Sequence, residues 1–103
     1  MTSAGTLSDA YLGIDPAHVA ETLRAAGAAD ALYLEVNALL VRSGGRVIVI
    51  DTGLGRRFDG SLVRSLSLAG VSALQVTDVL VTHAHGDHIG GLASADGTLT
   101  FPN

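Results

Sequence analysis

THAHGDHIGGL, residues 82–92, places three of the chain's four histidines and an aspartate within six consecutive positions, 83 to 88. His83 and His85 are two apart. In an extended segment their rings leave the backbone on the same side, as neighbouring ligands of one cation must. Asp87 and His88 follow where the chain turns. Imidazole and carboxylate are the N and O ligands that zinc, iron and manganese accept, and thiolate ligands are absent because the chain has no Cys. Four such ligands are too many for one closed structural site on a short loop, and they divide more naturally between two adjacent ions. A divalent ion so held, with an open position, lowers the pKa of bound water from roughly 15.7 to about 7 and polarises a carbonyl or phosphoryl oxygen, so hydrolysis is its natural use. The plainer alternatives are a polar surface turn and a structural metal without catalysis.

Working outward, DVLVT at 78–82 reads as a short buried strand that delivers the histidine loop at its C-terminal end, where layered α/β folds put their sites. VIVI at 47–50 is a continuous β-branched run suited to a strand covered on both faces, ending at Asp51. Ser43-Gly44-Gly45 predicts a tight hairpin before it, with positive φ at both glycines. ALYLEVNALLV, 31–41, predicts one strand with Leu32, Leu34, Val36 and Leu40 on one face. The loop after Asp51, Thr52 to Gly55, is too glycine-rich for regular structure and reads as crossing close to the histidines.

Two helices are predicted. Asp15 as N-cap and Pro16 at the first helical position start one that ends at Gly27, with Val19, Ala20, Leu23 and Ala26 on one face. The other, SLVRSLSLAG, turns Leu62, Val63, Leu66 and Ala69 inward and ends at Gly70. Ser72 to Gln75 has capping-box spacing for one further helical turn. Thr6–Ile14 reads as an edge strand, Gly90-Gly91 as the start of a helix or turn, and TLTF at 98–101 as a last strand after an Asp96-Gly97 turn. His18 lies in the first helix, remote from the cluster, and reads as an ordinary surface residue. Asn37 and Tyr11 read as packing or strand positions, and Thr82 and Gly53 as backbone devices.

HAHGDH, preceded by an apolar run and Thr82 and followed by IGGL, resembles the HxHxDH signature of the metallo-β-lactamase-fold hydrolases; VIVIDTG at 47–53 is similar to a second motif of that superfamily. The resemblance runs from about Leu34 onward and covers only the first half of the family's fold. It implies an α/β fold, the N-terminal half of an αβ/βα sandwich, with residues 1–103 forming a partial domain whose C-terminal half is absent. The family's third ligand histidine, bridging aspartate and late histidine have no counterpart here. By this resemblance His83 and His85 hold a first metal and Asp87 and His88 a second. Two zinc ions are expected in the complete enzyme, with iron or manganese as alternatives. A hydroxide between them attacks the substrate while Asp87, the catalytic carboxylate, orients it and handles its proton. Asp51 becomes a carboxylate supporting the ligand loop from behind; otherwise it is a turn-forming residue satisfying local amides.

LSDAYLGIDP, VNALLV and DGTLTFPN look most like the branch holding N-acyl-homoserine-lactone lactonases and methyl-parathion-hydrolase-like enzymes. The expected function is therefore metal-dependent hydrolysis of a small-molecule lactone or related ester. A glyoxalase-II-like thioester hydrolase is the rival within the enzymes, and a non-catalytic metal-binding fragment the rival outside them.

Composition bounds these readings. At 103 residues the chain is one domain or part of one, and with 48% hydrophobic against 16% charged residues it is apolar for its size. Surface meant to be covered, and hence self-association, is expected. A net charge of −4 with six scattered arginines and no lysine gives no basic stripe, so a nucleic-acid partner is disfavoured. No stretch approaches the roughly 20 apolar residues of a membrane span, and MTSAGTLSDA lacks the features of a signal peptide, which makes the cytoplasm the expected compartment.

Overall fold

The computed structural model describes residues 2–5, 12–28, 32–56 and 60–103, which divide into two units, Thr2–Glu35 and Val36–Asn103. In the first unit β1 (Thr2–Gly5) pairs antiparallel with β2 (Leu32–Glu35), Thr2 opposite Glu35. Between them in sequence lies α1 (Pro16–Ala25). Its start is the predicted one: Asp15 Oδ1 accepts from Ala17 N at 3.0 Å, and Pro16 occupies a position where no backbone donor is needed. Gly27 at φ 73° ends it, and the Ala28 N–H donates back to Leu23 O at 2.8 Å. Val19 is buried and His18 exposed, as expected.

The edge strand expected over Thr6–Ile14 is not borne out where it can be followed. Residues 6–11, Tyr11 among them, lie outside the described residues, and Leu12 to Ile14 form a turn with Gly13 at φ 77°. A left-handed glycine ends extended structure.

The second unit is built on a three-stranded sheet in the order β3-β4-β5. β3 (Leu39–Ser43) and β4 (Arg46–Ile50) pair antiparallel from Leu39 opposite Ile50 to Ser43 opposite Arg46, and β5 (Asp78–Leu80) runs parallel to β4. Gly44-Gly45 makes the hairpin. Only Gly44, at φ 58°, takes the left-handed region, so one glycine and not both supplies the positive φ. α2 (Leu62–Leu68) lays Leu66 on Val49, and with Val71 and Val76 these form the core, flanked by Leu40, Val47, Leu62, Val79 and Phe101. Val63 and Ala69, expected inward, are exposed. A 3₁₀ turn, Ala73–Gln75, follows at the predicted capping box, with Ser72 N donating to Gln75 Oε1 at 2.8 Å.

Three strand expectations change. The run 31–41 is two strands, broken at 36–38, because its halves pair with different partners and the break falls on the poor strand formers Asn37 and Ala38. β4 buries Val49 completely but leaves Ile48 and Ile50 half-exposed, and β5 stops at Leu80, itself exposed, so neither strand is covered on both faces. TLTF contributes only an isolated bridge between Ala93 and Leu99, since Thr100 N donates instead to Leu92 O at 2.9 Å and Phe101 packs on the core. The Asp96-Gly97 turn before it is present, with Thr98 N donating to Asp96 Oδ1 at 3.0 Å. Helices and a mixed sheet make this an α/β fold, as expected. Among the described residues no helix is long and apolar enough to cross a membrane.

Candidate metal centre

Because β4 and β5 are parallel, their C-terminal ends lie side by side, Ile50 opposite Leu80. One more ladder bond follows, from Asp51 N to Leu80 O at 2.8 Å, and there the two chains part. Asp51 sits at φ 62°, and among the described residues it is the one non-glycine in the left-handed region, which Asp tolerates better than most side chains. The turn seats its carboxylate under the histidine loop. Oδ1 accepts from Thr82 N at 2.8 Å, and Oδ2 accepts from Thr82 Oγ1 and from His88 Nδ1, each at 2.8 Å. Asp51 is only 7% exposed. The Thr82 backbone N–H, then His88 and the Thr82 hydroxyl, lower its pKa from 3.8 to about 2 against the opposing effect of burial.

Beyond a bend at Thr82 the chain has no regular structure up to His85, itself extended, whose carbonyl then accepts from His88 N at 2.9 Å and Ile89 N at 3.1 Å. These bonds open α3 (Gly86–Ile89) and bring His88 back to His83, with Asp87 beside His88. The rings of His83 and His85 lie 4.7 Å apart, centre to centre, and those of His83 and His88 3.9 Å apart. His88 Nε2 is 3.3 Å from Asp87 Oδ2. All four side chains singled out by spacing are therefore gathered, with Asp51 bonded to His88 from below. His83 and His85 face solvent, while Asp87 and His88 are half-buried. Asn37, expected at a packing or strand position, is instead exposed in the break between β2 and β3.

Thr52, which the sequence reading passed over, ties the second loop to this one. It is fully buried; its N–H and its hydroxyl both donate to His88 O, at 2.7 and 2.9 Å, and its oxygen accepts from Gly91 N at 3.1 Å. The signal available was its place inside VIVIDTG. A Cβ on Gly90 or Gly91 would strike the carbonyl oxygen of Leu54 or of Thr52, so the loop after Asp51 does cross against this segment. Of the helix or turn expected at Gly90-Gly91 the structure has the turn, which follows α3 because the helical bonds already start at His85. Thr82 is more than a backbone device, since its hydroxyl also joins the network.

The protons can be placed. An ionised carboxylate only accepts, so the hydrogen between Asp51 and His88 resides on Nδ1 and the free nitrogen of His88 is Nε2. That nitrogen faces the Asp87 carboxylate. A lone pair and an anionic oxygen 3.3 Å apart are satisfied only by a positive charge shared between them. In the protein alone a proton serves: the pKa of His88 is raised above 6.5, first by its hydrogen bond to Asp51, with the nearby charge of Asp87 adding to it and burial opposing it. The three imidazoles and one carboxylate equally suit a divalent ion of borderline hardness. Among the described residues no three His, Asp or Glu side chains form a ready set for a single ion. The donor chemistry thus suits a metal, while no complete cage for one ion is formed among the described residues.

Comparison with known proteins places the fold. The model of the metallo-beta-lactamase superfamily matches residues 33–102. AidC, a dizinc quorum-quenching lactonase solved in complex with a product, superposes with a TM-score of 0.89 and 34% identity over 99% of this chain and 36% of its own. Ribonuclease Z of Methanothermobacter thermautotrophicus is 36% identical over 55 residues, 53% of this chain and 16% of that protein. An atrochrysone carboxyl ACP thioesterase of Aspergillus fumigatus is 45% identical over 56 residues, 54% of this chain and 13% of that protein. The chain spans only those small shares of the curated relatives' lengths. With the family model matching more than half of it, and a structural neighbour of that fold superposing along nearly all of it, the chain belongs to the metallo-β-lactamase superfamily.

Proposed function

We propose that this chain carries the metal-binding motif of a metal-dependent hydrolase acting on a small lactone or related ester. His83 and His85 hold one ion, Asp87 and His88 a second, and zinc is the ion that suits this donor set best. The observation that carries the reading is the confrontation of His88 Nε2 with Asp87 Oδ2 above a tautomer-fixing Asp51. A divalent ion supplies Lewis acidity there, making water acidic near neutral pH and polarising the carbonyl under attack. The residues do the rest. Asp87 takes the proton that water loses as its oxygen bonds to the acyl carbon, and returns it to the ring oxygen as the C–O bond breaks, giving a hydroxy acid. Asp51 and Thr52 hold His88 in place while this happens. The lactone assignment leans on the likeness to AidC, which is a lactonase and covers 99% of this chain.

We infer as well that residues 1–103 are part of a larger domain, since the chain spans 36% of AidC, and that further ligands come from the remainder. Likeness to the fungal thioesterase keeps a thioester as the second substrate class. Against RNA, despite the likeness to ribonuclease Z, stand the net charge of −4 and the scattered arginines. In the full-length enzyme, His83→Ala, His85→Ala, Asp87→Ala and His88→Ala should each lose at least one metal equivalent by plasma mass spectrometry and most lactone hydrolysis. His18→Ala should lose neither. Unchanged metal content in His85→Ala would refute the ligand assignment.

A further inference from the structure

Asp51 bonds directly to only one histidine, yet the network continues. Thr82 Oγ1 lies 2.8 Å from Asp51 Oδ2 and 3.0 Å from His83 Nδ1. A hydroxyl has one hydrogen, and an anionic carboxylate can only accept it. The Thr82 hydrogen therefore points at Asp51, and its oxygen is left as an acceptor for His83. His83 must then carry its hydrogen on Nδ1, leaving Nε2 bare, as His88 does through its own bond to Asp51. A free imidazole in water prefers the opposite arrangement, so both rings are held in the less common tautomer by one carboxylate.

We propose that Thr82 is a positioning residue that relays the acceptor character of Asp51 to His83, so that one buried carboxylate sets the tautomer of one histidine in each ligand pair. This deepens the metal reading above and rests on it only for its consequence, the presentation of two Nε2 lone pairs. The tautomers themselves can be read without metal. Thr82 is exposed, and its backbone N–H bond to Asp51 does not depend on its side chain, so the relay can be cut without removing the carboxylate's other donors.

The experiment is long-range ¹H–¹⁵N correlation of the histidine rings in the metal-free full-length protein, at a pH where they are neutral, on the parent, Thr82→Val and Thr82→Ser. Expected are Nδ1–H tautomers for His83 and His88 in the parent, a shift of His83 alone toward Nε2–H in Thr82→Val, and the parent pattern in Thr82→Ser. Zinc titration of the same proteins should show roughly 10- to 100-fold weaker binding for Thr82→Val, restored in Thr82→Ser. A parent His83 already in the Nε2–H form overturns the proposal even if the valine variant fails to fold, as does a His83 signal indifferent to the valine. The stated tautomers in a chain that binds no zinc would support the relay while counting against the metal reading, so the two fail separately.

Discussion

At the scale of single residues, Asp51 and His88 give the metal-free chain a pH profile whose two limbs have opposite origins. Asp51 has a pKa of about 2 against an ordinary 3.8, so folding favours its anion. Its contribution is complete above 3.8 and is lost as pH falls toward 2. His88 runs the other way. Its folded pKa lies above 6.5, so folding favours its cation; that contribution is complete below 6.5 and disappears as pH rises through the raised value. With a chelator present, urea midpoints should therefore be highest between 3.8 and 6.5 and fall on both sides. Asp51→Asn removes the carboxylate common to both limbs while an amide side chain still tolerates the left-handed backbone. Both limbs should flatten in that variant, and limbs of unchanged slope would show that other groups govern the profile.

Among the elements, what could be read in advance was whatever is decided locally. α1 follows from Asp15, Pro16 and Gly27, the β3–β4 hairpin from its glycine pair, and the gathering of the cluster from the spacing of His83, His85, Asp87 and His88. What escaped is decided at a distance. Leu32, Leu34, Val36 and Leu40 keep one parity straight across the break between β2 and β3, so apolar alternation hides the change of partners that only the weak strand formers Asn37 and Ala38 mark. β1 is TSAG, which has no apolar alternation at all. Thr52 is an unremarkable residue until the carbonyl of His88 arrives opposite it, 36 positions along. The glycines of the two crossing loops test this element-level contact. Ala at Gly91 meets Thr52 O and at Gly90 meets Leu54 O, backbone atoms unable to retreat, so each substitution should cost roughly 1–3 kcal/mol in urea unfolding. Gly86→Ala, with nothing within 4 Å, should be close to neutral. Equal effects at positions 86 and 91 would mean that the loops do not press together.

For the molecule as a whole, apolar surface and incomplete ligand pairs lead to one joint expectation about residues 1–103 made by themselves. In the second unit Leu39, Leu74, Leu80 and Leu99 are all more than half exposed, at 58%, 67%, 54% and 62%. Leu39 and Leu80 belong to the two outer strands of the sheet, whose outer edges pair with no other strand among the described residues and are templates for further pairing. Large exposed apolar side chains together with open strand edges favour association over a dispersed monomer. The metal side follows from ligand number. Catalytic zinc generally takes three protein ligands, whereas among the described residues no three candidate ligands form a set and the proposed assignment gives each ion two. Binding should then be weak and lactone turnover undetectable, even with the tautomers correctly set. Light scattering should report oligomers or aggregates, and calorimetric titration should give shallow zinc isotherms. A monodisperse monomer that takes up two zinc ions tightly and opens a lactone would show that both the exposed surface and the paired ligands suffice as they stand.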